Sequence, residues 1–248
     1  MAVMSANLNP MGSPNIQSES LRKQAIAWDD GCASDPIRNE FVVPESAALI
    51  ARYRPHRILD IGAGTGYIAR AIDILLNYRP EWVLIDLDEE RLKVAQERKP
   101  DSMRMQCVVG DAIEVRDLDD TFQAVIITFT LLEAESVGAI LEAAVSFLAD
   151  DGILILAVPD VWADVIADPQ EAKERSRRML NETVSLHKID KFTGQPYPFH
   201  AMRTESLISL VLERACILET LHKGGPQGDV YVLGFRKQRP LKNEKLCG

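Results

Sequence analysis

Short apolar segments alternate with helix-like segments along residues 57–158, and this alternation restricts the fold more than any other property of the chain. Five segments of strand composition lie at 57–61, 82–86, 105–109, 124–129 and 153–158. Helical spacing of apolar residues follows the first strand at 67–77 and precedes the last at 135–148. Strands that alternate with helices form βαβ units, whose right-handed crossovers place the strands in one parallel sheet. We therefore predict an α/β fold with a doubly wound sheet.

Beyond the fifth strand the alternation ends, and the remaining segments predict a cover and an edge for this sheet. Asp168, followed by a proline, has the residue type of a helix start, and we expect that helix to continue to about Leu186. Another helix is expected at 204–214. Two closing strands, at 217–221 and 229–235, predict a hairpin at one edge of the sheet.

These patterns predict a single domain with short extensions. Residues 1–20 are rich in Ser, Asn, Pro and Met, and we expect a disordered leader there. The domain itself is expected at 21–236, with N-terminal lid helices at 21–56 and a cover insert at 160–203. Residues 237–248 have the composition of a basic tail.

Composition excludes several function classes. The net charge of −9 disfavours a nucleic-acid partner, because phosphate contacts need a basic face. The four cysteines are scattered and the four histidines form no metal-binding spacing, so we predict reduced thiols, a cytoplasmic location and no metal centre. No apolar stretch approaches the ~18 residues of a membrane helix, so no membrane partner is expected. A homodimer is compatible with the sequence.

A glycine-rich turn joins the first strand to the first helix, with the sequence Asp60-Ile61-Gly62-Ala63-Gly64-Thr65-Gly66. Glycines in this position let the chain turn tightly and bring its backbone close to a ligand. The dinucleotide fingerprint requires a further glycine at position 67, which is Tyr67 here, and no phosphate-loop lysine is present. The turn therefore favours a nucleoside ligand without a pyrophosphate.

Acidic residues end the next two strands. Asp86 lies 24 positions after Gly62, where a carboxylate can accept hydrogen bonds from ribose hydroxyls. Asp111 follows the third strand, where it can contact an adenine edge. Because ligands of open α/β sheets bind at the carboxyl ends of the strands, these acids and the glycine-rich turn predict one nucleoside site.

Four segments together resemble a known family, the class I S-adenosylmethionine-dependent methyltransferases. Residues 58–66 are similar to its first motif, 83–88 to its ribose-binding motif and 109–112 to its adenine-side motif. The turn at 148–154 is similar to the one before the fifth strand, although it lacks the family's proline and has one glycine instead of two. The resemblance implies a seven-stranded Rossmann-like sheet whose last strand is antiparallel, with S-adenosylmethionine as the methyl donor.

The same resemblance implies donor-binding roles for Asp60, Gly62, Ala63, Gly64, Gly66, Asp86, Leu87, Asp111, Ala112 and Thr128. The glycines would pack against the methionine part of the donor, Asp86 would bind ribose, and Asp111 with Ala112 would face adenine. Thr128, at the end of the fourth strand, would lie beside the donor methyl.

Two further residues are candidates in segments that resemble the small-molecule branch of the family. Arg38, in the predicted lid, would meet the donor's carboxylate, with a surface arginine as the alternative. His200, in the predicted cover insert, is the candidate general base, because histidine titrates near neutral pH. The alternative for His200 is a hydrogen-bonded loop histidine.

The implied reaction is methyl transfer to a small-molecule acceptor, at oxygen, with nitrogen and carbon left open. The aromatic residues of the cover insert suit a partly apolar acceptor. Two other functions stay open from the sequence: methylation of RNA or protein, and a regulatory module that binds the donor without transferring its methyl group.

Overall fold

The computed structural model describes residues 14–115, 118, 121–132, 136–160, 183–189, 196–226 and 228–239. The α-helices in these residues are α1 (Pro14–Ala33), α2 (Val43–Tyr53), α3 (Tyr67–Leu75), α4 (Glu89–Arg98), α5 (Val137–Phe147) and α6 (Thr204–Leu212). The strands are β1 (Arg57–Ile61), β2 (Glu81–Asp86), β3 (Arg104–Val109), β4 (Phe122–Thr128), β5 (Leu148–Pro159), β6 (Thr183–Ile189), β7 (Pro196–Met202), β8 (Cys216–Gly224) and β9 (Val230–Lys237). A π-helix (Ile37–Val42) precedes α2, and a 3₁₀ helix (Thr130–Leu132) follows β4.

Seven strands form one sheet in the order β3-β2-β1-β4-β5-β9-β8. The pairs among β1 to β5 are parallel, whereas β9 is antiparallel to both of its neighbours. The strand order reverses between β1 and β4, which is the point where ligands bind in doubly wound sheets. The predicted doubly wound sheet, its antiparallel last strand and the closing hairpin are confirmed.

Hydrophobic residues cover both faces of the sheet, as the continuous apolar strands predict. Ile58 and Leu59 are successive in β1, yet they belong to two different buried clusters because successive side chains point to opposite faces. One cluster packs residues of α2 and α3 against the sheet, and the other packs residues of α5 and α6. Two buried layers fix the strand register and so fix where each strand ends.

The N-terminal part differs from the sequence-based expectation. Residues 1–13 of the expected leader lie outside the described residues, whereas residues 14–20 are helical and belong to α1. Helix α1 is held by contacts far along the chain, since Ser18 Oγ donates to Glu90 Oε1 at 3.1 Å. A leader that extends to residue 20 is therefore wrong, because α4 supplies a docking partner that local composition cannot show.

The cover insert also differs. Residues 161–182 and 190–195, which include most of the helix expected to begin at Asp168, lie outside the described residues. That helix does not reach Leu186, because residues 183–189 are strand β6, paired antiparallel with β7 in a separate two-stranded sheet. Backbone pairing with β7 overrides the local helical signal here. Strand β7 contacts the 3₁₀ helix at the carboxyl end of β4.

At the other end of the domain, β9 ends at Lys237, and residues 240–248 of the expected tail lie outside the described residues. Within the part of the chain that the structure describes, no helix is long and apolar enough to cross a membrane.

Candidate functional site

The glycine-rich turn between β1 and α3 is the centre of the site. Gly62, Gly64 and Gly66 all have positive φ angles, of 69°, 57° and 68°, in the left-handed region that side chains other than glycine rarely adopt. The amides of Gly62 and Ala63 donate to the carbonyl of Ile85 at 2.8 and 3.0 Å, which ties the turn to the end of β2. These constraints explain the alternate glycines of the sequence.

The three glycines have different surroundings. A Cβ added at Gly62 would lie 2.2 Å from side-chain atoms of Thr130, and one at Gly66 would lie 2.7 Å from Leu84. At Gly64, in contrast, a Cβ would meet only Arg91, at 3.9 Å, among the described residues. Gly62 and Gly66 are therefore required for packing, whereas Gly64 leaves open space above the turn where a ligand can approach the backbone.

Asp60 lies in β1, two residues before this turn, and is 1% exposed. Neither oxygen of its carboxylate has a hydrogen-bond partner among the described residues. Burial, together with the negative charge of Asp86, raises the pKa of Asp60 to about 8. A buried acid without a donor is unfavourable in a folded protein, so this group marks a place where a cationic or hydrogen-bonding ligand would be stabilised.

Asp86, at the carboxyl end of β2, has two backbone donors. The amide of Gly64 donates to its Oδ2 at 2.6 Å, and the amide of Asp88 donates to its Oδ1 at 2.9 Å. Burial raises the pKa of Asp86, and these two amides act in the opposite direction. Leu87, the next residue, is 72% exposed at this edge of the sheet.

The predicted adenine side lies after β3. Asp111 Oδ1 accepts from the amide of Ile113 at 2.9 Å, and its carbonyl accepts from Glu114 and Val115, so Asp111 stabilises the turn that follows the strand. Ala112 is 6% exposed and packs in the hydrophobic core. The structure places both residues at the same sheet edge as Asp86; their contact with a ligand stays a prediction.

Residues from two distant segments meet at the end of β4. Thr128 is followed by Phe129, which has a positive φ of 63° and donates its amide to the carbonyl of Ala157 at 2.9 Å. The guanidinium of Arg38 lies 4.7 Å from the centre of the Phe129 ring and forms an ion pair with Asp35. Its side chain is 13% exposed, so Arg38 is not a surface arginine.

His200 lies on β7, which contacts the 3₁₀ helix after β4, and its backbone pairs with Ser185. The position of its imidazole lies outside what the structure describes, and its catalytic role stays a prediction. Thr130, which fills the space at Gly62 and donates to the Gly62 carbonyl at 3.1 Å, was not identified from the sequence. A threonine two residues after a strand end carries no local signal of such a role.

Comparison with known proteins agrees with this geometry. Residues 58–152 match the family model described as a methyltransferase domain. The chain contains a class I S-adenosylmethionine-dependent methyltransferase domain. A curated relative, the malonyl-[acyl-carrier protein] O-methyltransferase of Halorhodospira halophila, is 34% identical over 107 residues, which are 43% of this chain. The match spans about a third (36%) of that relative's length.

Solved structures share the fold of this methyltransferase domain. An S-adenosylmethionine-dependent methyltransferase of Methanosarcina mazei is 18% identical, with a TM-score of 0.63 over 77% of this chain and 98% of that one. The magnesium protoporphyrin IX methyltransferase of Synechocystis PCC 6803, solved with bound S-adenosylhomocysteine, is 11% identical, with a TM-score of 0.63 over 90% and 99% of the chains. The N-methyltransferase NodS of Bradyrhizobium japonicum, solved with the same product, is 14% identical, with a TM-score of 0.58 over 90% and 98%.

Proposed function

We propose that this methyltransferase domain binds S-adenosylmethionine at the carboxyl ends of β1 and β2 and transfers its methyl group to a small-molecule acceptor, at oxygen. The observation that carries the proposal is the carboxylate of Asp60, which is buried two residues before Gly62 and has no donor among the described residues, near a Gly64 that these residues leave open. A nucleoside with a cationic methionine part supplies what this arrangement lacks.

The residues present fit the donor. Asp60 would face the methionine ammonium, and the open backbone at Gly64 would lie against the methionine part. Each carboxylate oxygen has two lone pairs, so Asp86 can accept from ribose hydroxyls while it keeps its two amide donors. The exposed Leu87 would cover the adenine, with Asp111 and Ala112 at its edge.

When bound, the donor supplies a methyl group activated by a sulfonium sulfur. The chain's own contribution is to hold the two reactants close and aligned and to exclude water. The hairpin of β6 and β7, placed against the 3₁₀ helix after β4, would cover the acceptor. His200 on this hairpin would accept the proton of an acceptor hydroxyl.

The choice of oxygen is supported by the curated relative, whereas the choice of a small acceptor rests on the aromatic residues of the cover insert. The curated relative is an O-methyltransferase that acts on a malonyl group carried by a protein, and the magnesium protoporphyrin IX enzyme acts on a small molecule. NodS is an N-methyltransferase with the same fold, so the fold alone does not set the transfer atom. An acceptor screen therefore includes free carboxylic acids, phenols, amines and acyl groups linked to a carrier protein.

Calorimetric titration with S-adenosylmethionine and with S-adenosylhomocysteine tests the donor site. We expect micromolar binding of both by the wild-type protein and loss of at least tenfold in affinity for Asp86→Ala. Asp101→Ala, on an exposed turn away from the site, is the matched control and should bind like the wild type. A folded wild-type protein that binds neither ligand would contradict the proposal.

The role of His200 is tested once an acceptor is found. We expect His200→Ala to lower the methyl-transfer rate by roughly 10²–10⁴-fold while donor affinity stays unchanged, because general-base catalysis contributes about that much. His56→Ala, in the exposed turn before β1 at the opposite edge of the sheet, is the control. Equal rates for both variants would exclude His200 as the base.

A further inference from the structure

Asp29, on α1, makes contacts that the donor-site residues do not explain. Its side chain is 3% exposed although it is charged. Its Oδ1 accepts from the hydroxyl of Thr65 at 2.5 Å. The guanidinium of Arg70 donates to both of its oxygens, at 2.8 and 2.9 Å, and Arg98 donates to Oδ2 at 2.6 Å. One carboxylate thus joins α1 to the glycine-rich turn, α3 and α4.

Thr65 is the residue through which this contact reaches the donor site. It stands between Gly64 and Gly66, and because glycine has little conformational preference of its own, other contacts must hold this turn in place. Thr65 is 1% exposed, its hydroxyl donates to Asp29, and its carbonyl accepts from Arg70. The hydroxyl and the carbonyl of Thr65 are therefore held by the two partners of one ion pair, the hydroxyl by Asp29 and the carbonyl by Arg70.

The charges explain why the loss of Asp29 would matter. Nη2 of Arg70 donates to both oxygens of the carboxylate, and removing one partner of a buried ion pair leaves an uncompensated buried charge. The side chain of the neighbouring Asp30 pairs with Arg98 and is 63% exposed. Two adjacent aspartates thus share one arginine, but only Asp29 also contacts the turn.

We infer that Asp29 is a positioning residue for the donor site, which acts through Thr65 and Arg70 to hold the glycine-rich turn in its ligand-binding conformation. This inference rests on the proposed function. Without the carboxylate, the turn samples other conformations. Because the donor binds only the competent conformation, its apparent affinity for the protein falls in proportion to the fraction of molecules that keep this conformation. Helix α1 is then part of the donor site although Asp29 does not touch the donor.

The test compares Asp29→Asn with Asp30→Asn. The asparagine at position 29 keeps the shape and one acceptor oxygen, whereas the change at position 30 removes a charge beside the same arginine without contact to the turn. We expect Asp29→Asn to weaken binding of S-adenosylmethionine and S-adenosylhomocysteine equally, by about 10-fold or more, since both share the turn. Asp30→Asn should stay within about twofold of the wild type.

A second pair of variants separates positioning from general destabilisation. Thr65→Val removes the hydroxyl, and Thr65→Ser keeps it. If Asp29 acts through Thr65, Thr65→Ser should bind the donor like the wild type. In the double variant, Thr65→Val should weaken donor binding little beyond the loss caused by Asp29→Asn, because the effects of coupled residues are not additive. Additive losses, or equal affinities of wild type and Asp29→Asn, would overturn the inference.

Hydrogen exchange of the ligand-free protein makes this test independent of the donor. Asp29→Asn should accelerate exchange in the peptide that covers residues 62–67, while peptides from β4 and β5 keep their protection and Asp30→Asn changes neither. Unchanged exchange at 62–67 would refute the positioning role. If this exchange result is obtained but the wild type binds no donor, the proposed function is wrong, whereas the conclusion that Asp29 positions the glycine-rich turn is retained.

Discussion

The carboxyl edge of the sheet has two halves that are built differently. The donor half comprises the glycine-rich turn and the ends of β2 and β3, and its proposed ligand-facing residues come from the short segments 60–66, 86–87 and 111–112. The acceptor half comprises the ends of β4, β5 and β8 with the β6–β7 hairpin and the π-helix. Its contacts join residues far apart: Lys223 Nζ lies 2.5 Å from Asp160 Oδ2, and Arg38 lies over Phe129. The ligand-facing residues of the donor half therefore carry local sequence signals, whereas the acceptor half is assembled by contacts between distant segments.

Among the predicted changes, glycine substitutions in the donor half should lower the free energy of unfolding most. Gly62→Ala places a methyl group 2.2 Å from Thr130 and in a left-handed conformation, so we expect a loss of roughly 2–5 kcal/mol in unfolding free energy. Gly64→Ala has a similar φ but open space, and should cost only about 1–2 kcal/mol while it obstructs the donor. Denaturant unfolding and donor titration of both variants measure this contrast, and equal stabilities would contradict it.

Asp60 gives the donor half a dependence on pH. Since its pKa is raised to about 8, the folded state holds the proton more tightly than the unfolded state, and stability is lost as pH rises from about 4 to 8. Asp60→Asn removes this loss, so we expect the ligand-free variant to be more stable than the wild type by roughly 1–4 kcal/mol at pH 8 and closer to it at pH 5. Thermal unfolding across this range measures the difference.

The same substitution should weaken the donor site. Because a cationic ligand favours the ionised carboxylate, wild-type affinity for S-adenosylhomocysteine should increase from pH 6 to pH 8, and Asp60→Asn should bind weakly at both values. Flat wild-type affinity over this interval would show that Asp60 does not face the ligand's ammonium.

A substitution at the contact between β8 and the π-helix tests how the acceptor half is held together. A Cβ at Gly224 would lie 2.3 Å from the ring of Phe41, so Gly224→Ala should displace that ring and cost about 1–3 kcal/mol. We expect donor affinity to change little, because neither residue lies in the donor half. Combining Gly224→Ala with Phe41→Leu should recover part of the stability in denaturant unfolding; a purely additive loss would argue against this contact.

Leu87 should give the smallest effect on stability. Its side chain is 72% exposed, so Leu87→Ser should change the unfolding free energy by no more than about 0.5 kcal/mol. If the side chain covers the adenine, donor affinity should nevertheless fall several-fold. Leu75→Ser, at a residue of α3 that is 58% exposed and away from the sheet edge, is the control and should leave affinity unchanged in the same titration.

The sequence predicted those parts whose signals are local. The parallel strands and the turn at Gly62 follow from periodicity and from glycines that require positive φ angles. The strand at β6 could not be found this way, since Thr183 is strand only through its pairing with Met202. Observed strand boundaries differ from the predicted ones for the same reason. Strand β5 begins at Leu148, which pairs with Phe122, whereas the predicted strand begins at residue 153.

The role of Asp29 shows the same limit at the level of one side chain. Its partners Thr65, Arg70 and Arg98 lie 36, 41 and 69 positions away along the chain. An acidic residue near the end of an exposed-looking helix gives no local sign of such partners. Asp86 is the opposite case, because its place at a strand end already predicts a carboxylate at the ligand edge.

The antiparallel strand β9 has a consequence for the order of folding. It lies between β5 and β8, so β8 joins the sheet only through β9, and the β5–β9 pairing closes a loop of about 70 residues or more. Closing such a loop costs chain entropy before any contact is gained, which makes this pairing slow compared with that of β1 and β2. Conservative substitutions in β9 should therefore mainly accelerate unfolding and leave the refolding rate nearly unchanged, whereas slowed refolding would place this edge in the folding nucleus.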